Sequence, residues 1–255
     1  MKDGWRLAVG TCTVLPIGLP GVLDRRTAGW GMLLAPLAFL PVALAAVGVA
    51  WALAWLGAPE QIGGLVAVGV VLLGTRAIHV DGLADTVDGL GSGGDAERAL
   101  SVMRRSDIGP MGVVTLIVTL GLQAVALGHL AGRGEWLLGA VTLAASRAAL
   151  TLGARQSVPA ARPDGLGVAV AGSVDTPAAA FQWLAVCIVL TVAGLADGRP
   201  WWAGVAIAGA GFAAAQLMLA KCRQRLGGVA GDVLGCLVEV AATTMLVMAV
   251  TNPGT

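Results

Sequence analysis

The chain alternates long apolar stretches with short polar segments. A helix needs about 20 mostly apolar residues to cross a bilayer. Strict alternation of apolar and polar residues, which a membrane β-barrel requires, is absent from these stretches. The pattern predicts an all-α fold, a polytopic integral membrane helical bundle with about seven transmembrane helices. The predicted spans are Trp30–Leu56, Ile62–Ile78, Met111–Ala131, Trp136–Gly153, Ala178–Ala196, Trp201–Ala220 and Val233–Val250.

Two shorter segments predict helices that lie at the membrane surface. The N-terminal segment begins with charged residues, and Pro16 and Pro20 interrupt the apolar stretch that follows, which is atypical of a signal peptide. The segment from Asp95 to Arg105 has the spacing of a short amphipathic helix. Because no repeat or composition break divides the chain, we expect a single integral membrane catalytic domain over residues 1–255.

The composition supports the same class of protein. Hydrophobic residues make up 57% of the 255 residues and charged residues 12%, whereas soluble proteins carry about 25% charged residues. So little charge cannot cover a water-facing surface, and a formal net charge of +1 gives no basic surface for nucleic acid. A soluble monomer, a disordered chain and a nucleic-acid-binding protein are therefore excluded. We expect the protein to be embedded in the lipid bilayer. The oligomeric state stays open, and a homo-oligomer is compatible with the sequence.

Basic residues are distributed unequally between the two predicted membrane faces. One face, formed by the N-terminus and the segments 76–110, 154–177 and 221–232, holds thirteen: Lys2, Arg6, Arg25, Arg26, Arg76, Arg98, Arg104, Arg105, Arg155, Arg162, Lys221, Arg223 and Arg225. The opposite face holds Arg133 and Arg199, and Arg147 lies inside a predicted span. Because short cytoplasmic loops carry the excess of Lys and Arg, we expect the first face and the N-terminus in the cytoplasm, and the C-terminus outside.

Three aspartates follow the second predicted span in the segment HVDGLADTVDGL. On a helix, Asp81, Asp85 and Asp88 fall at about 0°, 40° and −20°, which is one narrow stripe. Carboxylates at this spacing repel one another unless a cation lies between them, and Mg²⁺ prefers such oxygen ligands. The stripe therefore predicts a magnesium site, with a solvated acidic face as the alternative. His79 lies about 160° from Asp81 on the same helix, so it either hydrogen-bonds a neighbouring group or the substrate, or is structural.

Candidate phosphate contacts lie in the following segments on the same predicted face. Arg98, Arg104 and Arg105 suit phosphate groups of a substrate or, alternatively, of lipid headgroups. Arg162 lies in the turn segment Ala161–Gly167. An arginine within a span, such as Arg147, is expected to be functional because burying its charge is costly, and the alternative is a side chain that extends to the membrane surface.

The last predicted cytoplasmic loop, GGVAGD, leads into the final span. Amides of glycines such as Gly228 and Gly231 at the start of a helix can cradle phosphate. Asp232 and Glu239 are seven residues apart and share a helix face, with Glu239 about two turns inside the membrane. The alternatives are an N-cap role for Asp232 and a buried, protonated or paired carboxyl for Glu239.

The segments HVDGLADTVDGL, RALSVMRRSDIGPMG, ARPDGLG and GGVAGDVLG, in this order and spacing, resemble the cobalamin synthase family (adenosylcobinamide-GDP ribazoletransferase). The resemblance implies a multi-pass enzyme of the bacterial cytoplasmic (inner) membrane, with its active site on the cytoplasmic face. It would transfer the adenosylcobinamide-phosphate group of adenosylcobinamide-GDP to α-ribazole or α-ribazole 5′-phosphate, releasing GMP and requiring Mg²⁺. Arg105, Asp107 and Ala230 depart from the family pattern and receive no catalytic role.

The residue roles follow from the motifs and the resemblance together. The expected catalytic residues are Asp81, Asp85, Asp88, Asp232 and His79, and the four aspartates are also the expected metal ligands. The expected substrate-binding residues are Arg98, Arg104, Ser106, Arg147, Arg162, Gly228, Gly231 and Glu239.

Two other functions compete with this hypothesis. An ion transporter would carry acidic residues along its spans, whereas here the acidic residues cluster toward one membrane face. A CDP-alcohol phosphotransferase usually carries the pattern DG-x2-AR-x8-G-x3-D-x3-D, whereas Gly82 here is followed by Ala84 and Asp85 rather than Ala-Arg.

Overall fold

A computed structural model describes residues 1–251, which form helices and no strand within that range. The long helices are α2 (Arg25–Trp55), α3 (Glu60–Thr75), α6 (Pro110–Gly132), α10 (Thr176–Ala196), α11 (Trp201–Leu226) and α12 (Gly231–Thr251). A further span, Trp136–Gly153, comprises α7 (Trp136–Ala145) and α8 (Ala149–Gly153) joined by a 3-10 turn at Ser146–Ala148. The shorter helices are α1 (Lys2–Cys12), α4 (Ile78–Gly91), α5 (Ala96–Val102) and α9 (Gly165–Val170). The predicted all-helical membrane bundle is confirmed.

Six of the seven predicted spans coincide with helices long and apolar enough to cross a membrane. The second prediction, Ile62–Ile78, is wrong at its end. Helix α3 stops at Thr75, and Ile78 begins α4, whose axis is bent by 92° from that of α3. Arg76 and Ala77 form the break, because both have left-handed backbone conformations that end the helical hydrogen-bond ladder.

Helix α3 nevertheless runs beside α6 across the bundle. Its 16 residues measure about 24 Å at 1.5 Å per residue. Gly64 and Gly128 allow the two backbones to touch, since a Cβ on either would collide with the opposite main chain. At one end of the pair, His129 lies 3.2 Å from Glu60. Helix α3 therefore runs antiparallel to α6, and with α4 it forms the bent pair that would make a seventh span.

Helix α4 lies across one end of the bundle, which we call the α4 end. Its first turn packs on the start of α12, and its last turns reach the start of α6. The expected amphipathic helix after it is α5, which is shorter than predicted. Asp95 accepts a hydrogen bond from the Arg98 amide as its N-cap, and the helix ends at Val102, leaving Arg104 beyond it.

The opposite end, or far end, is held by buried charges. Arg199 donates hydrogen bonds to the Glu135 carboxylate and to the Ala249 carbonyl oxygen, and Arg133 donates to Glu135 at 3.0 Å. Arg133 and Arg199 thus share one end of the bundle, as predicted from the charge distribution. The pairs tie the loops before α7 and α11 to the end of α12.

The sides of the bundle expose large apolar side chains such as Leu73, Ile117 and Leu217. A bilayer covers such a surface, while soluble monomers rarely expose apolar patches of this extent. The interior is built mainly from small residues, and Ala35, Ala43 and Ala46 of α2 are fully buried. Small side chains bring helix backbones close together, which is how membrane helices associate.

Candidate active site

Glycines place the acidic helix α4 directly against the start of α12. A Cβ on Gly82 would lie 2.6 Å from the carbonyl oxygen of Asp232, and a Cβ on Gly235 would lie 3.0 Å from the Cα atom of His79. Residues with side chains would push the two helices apart at this crossing. The contact brings Asp81 of α4 and Asp232 of α12, which are distant in sequence, to the border of one cavity.

This cavity, which we call the basic cavity, has a volume of about 420 Å³. It combines three carboxylates with two arginines and a glycine at a helix start. Its polar lining consists of Asp81, Asp232, Arg104, Arg162, Asp164 and Gly231. The structure therefore brings together five of the predicted site residues from α4, the loop after α5, the loop before α9 and the start of α12.

Both arginines of the basic cavity have partners that fix their position. Arg162 donates one hydrogen bond to Asp232 at 3.2 Å and another to the carbonyl oxygen of Leu100 at 3.1 Å. Arg104 donates to both carboxylate oxygens of Asp164 at 2.8 and 2.9 Å. Because Arg104 and Asp164 are exposed, this ion pair contributes little stability and can exchange for a substrate phosphate.

Asp88 is held by the first turn of α6. Its carboxylate oxygens accept hydrogen bonds from the amides of Gly109 at 2.7 Å and Gly112 at 2.9 Å. A carboxylate at a helix N-terminus is stabilised by the unpaired amides and by the helix dipole. The bonds fasten the end of α4 to α6, so the structure gives Asp88 a positioning contact that the sequence spacing did not indicate.

A second cavity, the acidic cavity, has a volume of about 220 Å³ and lies beyond Asp85. Its charged lining consists of Asp85, Asp88, Arg105 and Asp107. Arg105 and Asp107 had received no role because they depart from the family pattern. Their position in the motif segment, between Arg104 and Gly109, was the sequence feature that could have indicated that they line a cavity of the site.

The carboxylates of α4 and α12 influence one another. Burial and the neighbouring carboxylates of Asp81, Asp232 and Asp88 raise the pKa of Asp85 to about 6, against an opposing effect of Arg162. Within residues 1–251, the Asp81 and Asp85 carboxylates accept no hydrogen bond and form no ion pair. Their oxygens are therefore open to water or to a cation.

The carboxylates do not form a closed metal cage. In the described part of the chain, no three carboxylate, imidazole or thiol groups lie close enough to hold one ion. Mg²⁺ is usually bound by one or two carboxylates, with waters and substrate phosphates completing its octahedron. A pair drawn from Asp81, Asp85 and Asp232 fits that open arrangement, whereas both oxygens of Asp88 already accept amide hydrogen bonds.

Three predicted site residues lie inside the bundle instead of at the cavities. Arg147 is 1% exposed, and its guanidinium lies 3.4 Å above the Phe39 ring centroid. Glu239 is buried and accepts a hydrogen bond from Gln123 at 2.8 Å. His79 is also buried, behind the aspartate stripe. The structure gives no support to direct substrate contact by these side chains.

The remaining predicted residues, Arg98, Ser106 and Gly228, do not line the basic cavity. Arg98 and Ser106 are exposed. Gly228 is buried against the backbone of Pro159, where the Val229 amide donates to the Pro159 carbonyl oxygen at 2.9 Å. Gly228 therefore permits the contact between two loops, and Gly231 is the predicted glycine that borders the cavity.

Fold and site together define a multi-pass membrane enzyme with carboxylates and arginines facing each other at one end of a helical bundle. The chain matches the family model described as Cobalamin-5-phosphate synthase over residues 4–250. The chain belongs to this family, which confirms the resemblance inferred from the motifs.

Curated relatives agree along nearly the whole length. An adenosylcobinamide-GDP ribazoletransferase of a Nocardioides species is 40% identical over 250 residues, covering 98% of this chain and 99% of the relative. The protein of the same name from Frankia casuarinae is 41% identical over 264 residues, covering 97% of this chain and 95% of the relative. No solved structure matches the chain.

Proposed function

We propose that the protein transfers the adenosylcobinamide-phosphate group of adenosylcobinamide-GDP to α-ribazole or α-ribazole 5′-phosphate and releases GMP. The observation that carries the proposal is the basic cavity, where Asp81 and Asp232 face Arg104 and Arg162. Arginines bind the oxygens of a diphosphate, and carboxylates accept a proton or hold a divalent cation. The names of the relatives and the sequence motifs point to the same reaction.

In the proposed mechanism, the 3′-hydroxyl oxygen of the ribazole ribose attacks the phosphorus nearer the cobinamide. A new phosphorus–oxygen bond forms, and the bond to the GMP phosphate oxygen breaks with its electron pair leaving on GMP. The hydroxyl proton passes to a carboxylate. We assign this proton to Asp81, since it borders the basic cavity and accepts no hydrogen bond within residues 1–251. Arg104 and Arg162 hold the diphosphate and stabilise the charge that develops on it.

Mg²⁺ is the proposed cofactor. Asp85 and Asp232 would hold it, and when bound it would neutralise charge on the diphosphate and the leaving group. Asp88 would support this set from behind, because its bonds to α6 fix the end of the acidic helix.

The proposed location is the bacterial cytoplasmic membrane, with the α4 end facing the cytoplasm. The excess of Lys and Arg on the segments at this end supports that orientation. It would place the diphosphate-binding arginines where a soluble nucleotide-linked substrate is supplied.

The test is turnover by the purified protein in lipid nanodiscs with adenosylcobinamide-GDP, α-ribazole 5′-phosphate and Mg²⁺. GMP release is followed by chromatography and the corrinoid product by mass spectrometry. Asp81→Asn and Asp85→Asn should each reduce kcat at least a hundredfold. Asp175→Asn is the matched control, because Asn caps a helix as well as Asp does and Asp175 caps α10. Absence of GMP release from the parent protein would refute the function, and parent-level turnover by Asp85→Asn would refute its role in the metal site.

A further inference from the structure

A third cavity, of about 480 Å³, shares Ile78 and Asp81 with the basic cavity. We call it the turn cavity because the break between α3 and α4 forms one wall and the end of α1 the other. Its lining consists of Gly10, Thr11, Thr13, Thr75, Arg76, Ala77, Ile78 and Asp81. Asp81 thus belongs to two cavities, which is the arrangement expected where two substrates meet.

Arg76 is the cationic side chain that lines the turn cavity. It is exposed and forms no hydrogen bond or ion pair within residues 1–251. Its backbone has φ 54° and that of Ala77 has φ 55°, and these are the non-glycine residues with positive φ in the described chain. Such conformations are costly and concentrate at functional sites. The left-handed backbone holds a positively charged side chain without a protein partner at the cavity.

Three hydroxyl groups complete the polar lining, and each already uses its proton. Thr11 donates to the Leu7 carbonyl oxygen at 2.8 Å, and Thr13 donates to the Val9 carbonyl oxygen at 2.9 Å. Thr75 donates in the same way to the carbonyl oxygen of Val71 at 2.9 Å. The Thr13 oxygen also accepts a hydrogen bond from the Leu15 amide at 3.2 Å. With their protons committed, the Thr11 and Thr75 oxygens offer lone pairs that can accept hydrogen bonds from a ligand.

This combination matches one class of ligand. A sugar phosphate carries an anionic phosphate, which a guanidinium binds with two parallel hydrogen bonds, and hydroxyl groups that donate to oxygen acceptors. We propose that the turn cavity binds the ribose phosphate portion of the acceptor substrate and that Arg76 is the residue that recognises its phosphate monoester. The inference rests on the proposed function and deepens it, since the acceptor hydroxyl would then meet the diphosphate at Asp81.

The experiment compares α-ribazole 5′-phosphate with unphosphorylated α-ribazole as acceptor. The specificity ratio, kcat/KM with the phosphate divided by kcat/KM without it, is measured for the parent, Arg76→Gln and Arg26→Gln. Gln keeps the left-handed backbone and much of the length of Arg but removes the charge. Arg26 is the matched control, an exposed arginine that does not line the turn cavity. Arg76→Gln should lower the ratio at least tenfold through KM of the phosphorylated acceptor, and Arg26→Gln should leave it unchanged.

Other outcomes overturn the assignment. An unchanged ratio in Arg76→Gln means that Arg76 does not bind the acceptor phosphate. An equal loss of kcat/KM with both acceptors means that the substitution disturbs the fold. All measurements are made in zwitterionic and in anionic nanodiscs, because a lipid headgroup offers the same phosphate chemistry. An effect of Arg76→Gln confined to anionic nanodiscs would assign the residue to lipid and overturn the proposal.

A second measurement separates this inference from the proposed reaction. Thermal unfolding is followed with ribose 5-phosphate and with ribose as probes. Ribose 5-phosphate should stabilise the parent and not Arg76→Gln, whereas ribose should stabilise neither. A parent that binds ribose 5-phosphate through Arg76 but releases no GMP would refute the proposed reaction alone. Equal stabilisation of both proteins, or of neither, would refute the role of Arg76.

Discussion

Replacing Gly82 by Ala perturbs the contact on which the arrangement of the site depends. The added Cβ would lie 2.6 Å from the Asp232 carbonyl oxygen and 3.0 Å from its Cα atom, whereas ordinary contacts begin at 3.4 Å. Helices α4 and α12 must therefore separate locally by about 0.8 Å, as both neighbours are backbone atoms and cannot rotate away. Overpacking of this kind costs about 1–3 kcal/mol of stability. A displacement near 1 Å in the catalytic geometry reduces turnover by about a hundredfold.

The assay measures GMP release and thermal unfolding for the parent, Gly82→Ala and Gly69→Ala. Gly69 lies in α3, and a Cβ there meets no atom within 4 Å, so this control should keep parent activity. We expect Gly82→Ala to fold with reduced stability and to lose about tenfold to a hundredfold in kcat. A Gly82→Ala protein with parent kcat would refute the claim that the α4–α12 crossing sets the distance between Asp81 and Asp232.

Three further predictions concern the same helix. Asp88→Asn should destabilise the protein by about 1–2 kcal/mol in thermal unfolding, because it removes the negative charge that accepts hydrogen bonds from the Gly109 and Gly112 amides. Asp95→Asn, which exchanges one good N-cap for another, should leave stability unchanged. Equal destabilisation by the two substitutions would contradict the reasoning. Ala77→Gly should raise stability by roughly 0.5–1 kcal/mol in thermal unfolding, because it removes a left-handed non-glycine residue. A loss of stability would contradict the claim that this residue is strained. In the folded protein the pKa of Asp85 is raised to about 6, whereas in the unfolded chain it is about 4. Without metal, the stability that the protonated Asp85 contributes is therefore fully present below about pH 4 and is lost as the pH rises through about 6. Unfolding curves from pH 4 to 8 without metal should show this loss relative to Asp85→Asn, and added Mg²⁺ should reduce it; parallel curves for the two proteins would contradict it.

The long apolar stretches predicted six spans closely because membrane helices are specified by length and hydropathy alone. The turn at Arg76 and Ala77 was not predictable in this way. Neither residue is glycine or proline, so the sequence carried no signal of a break between α3 and α4. Helical periodicity correctly placed Asp81, Asp85 and Asp88 on one helix, but not the direction of that helix.

The candidate site was predictable as a set of residue types and less so as a set of contacts. Asp81, Arg104 and Arg162 meet at one cavity, as their motifs indicated. The spacing of Asp88 assigned it to a metal site, whereas its carboxylate accepts hydrogen bonds from amides of α6. Periodicity within one helix cannot identify a hydrogen-bond partner on another helix. Arg147 was considered functional because a membrane arginine is costly; it lies inside the bundle, where it stacks on Phe39 and donates hydrogen bonds from Nη1 alone, to the Leu143 carbonyl oxygen and to Ser146.

The contact between Gly82 and Asp232 also imposes an order on biosynthesis. Helix α4 leaves the ribosome early, but the residues that cover its Gly82 face belong to α12, the last helix described. At about 5–20 residues per second, roughly 10–30 s separate the synthesis of the two. Until α12 is inserted, the aspartate helix lacks the neighbour that defines its position and the basic cavity lacks Asp232. A nascent or prematurely terminated chain therefore carries the motif without a formed site, and catalytic competence marks completed membrane insertion.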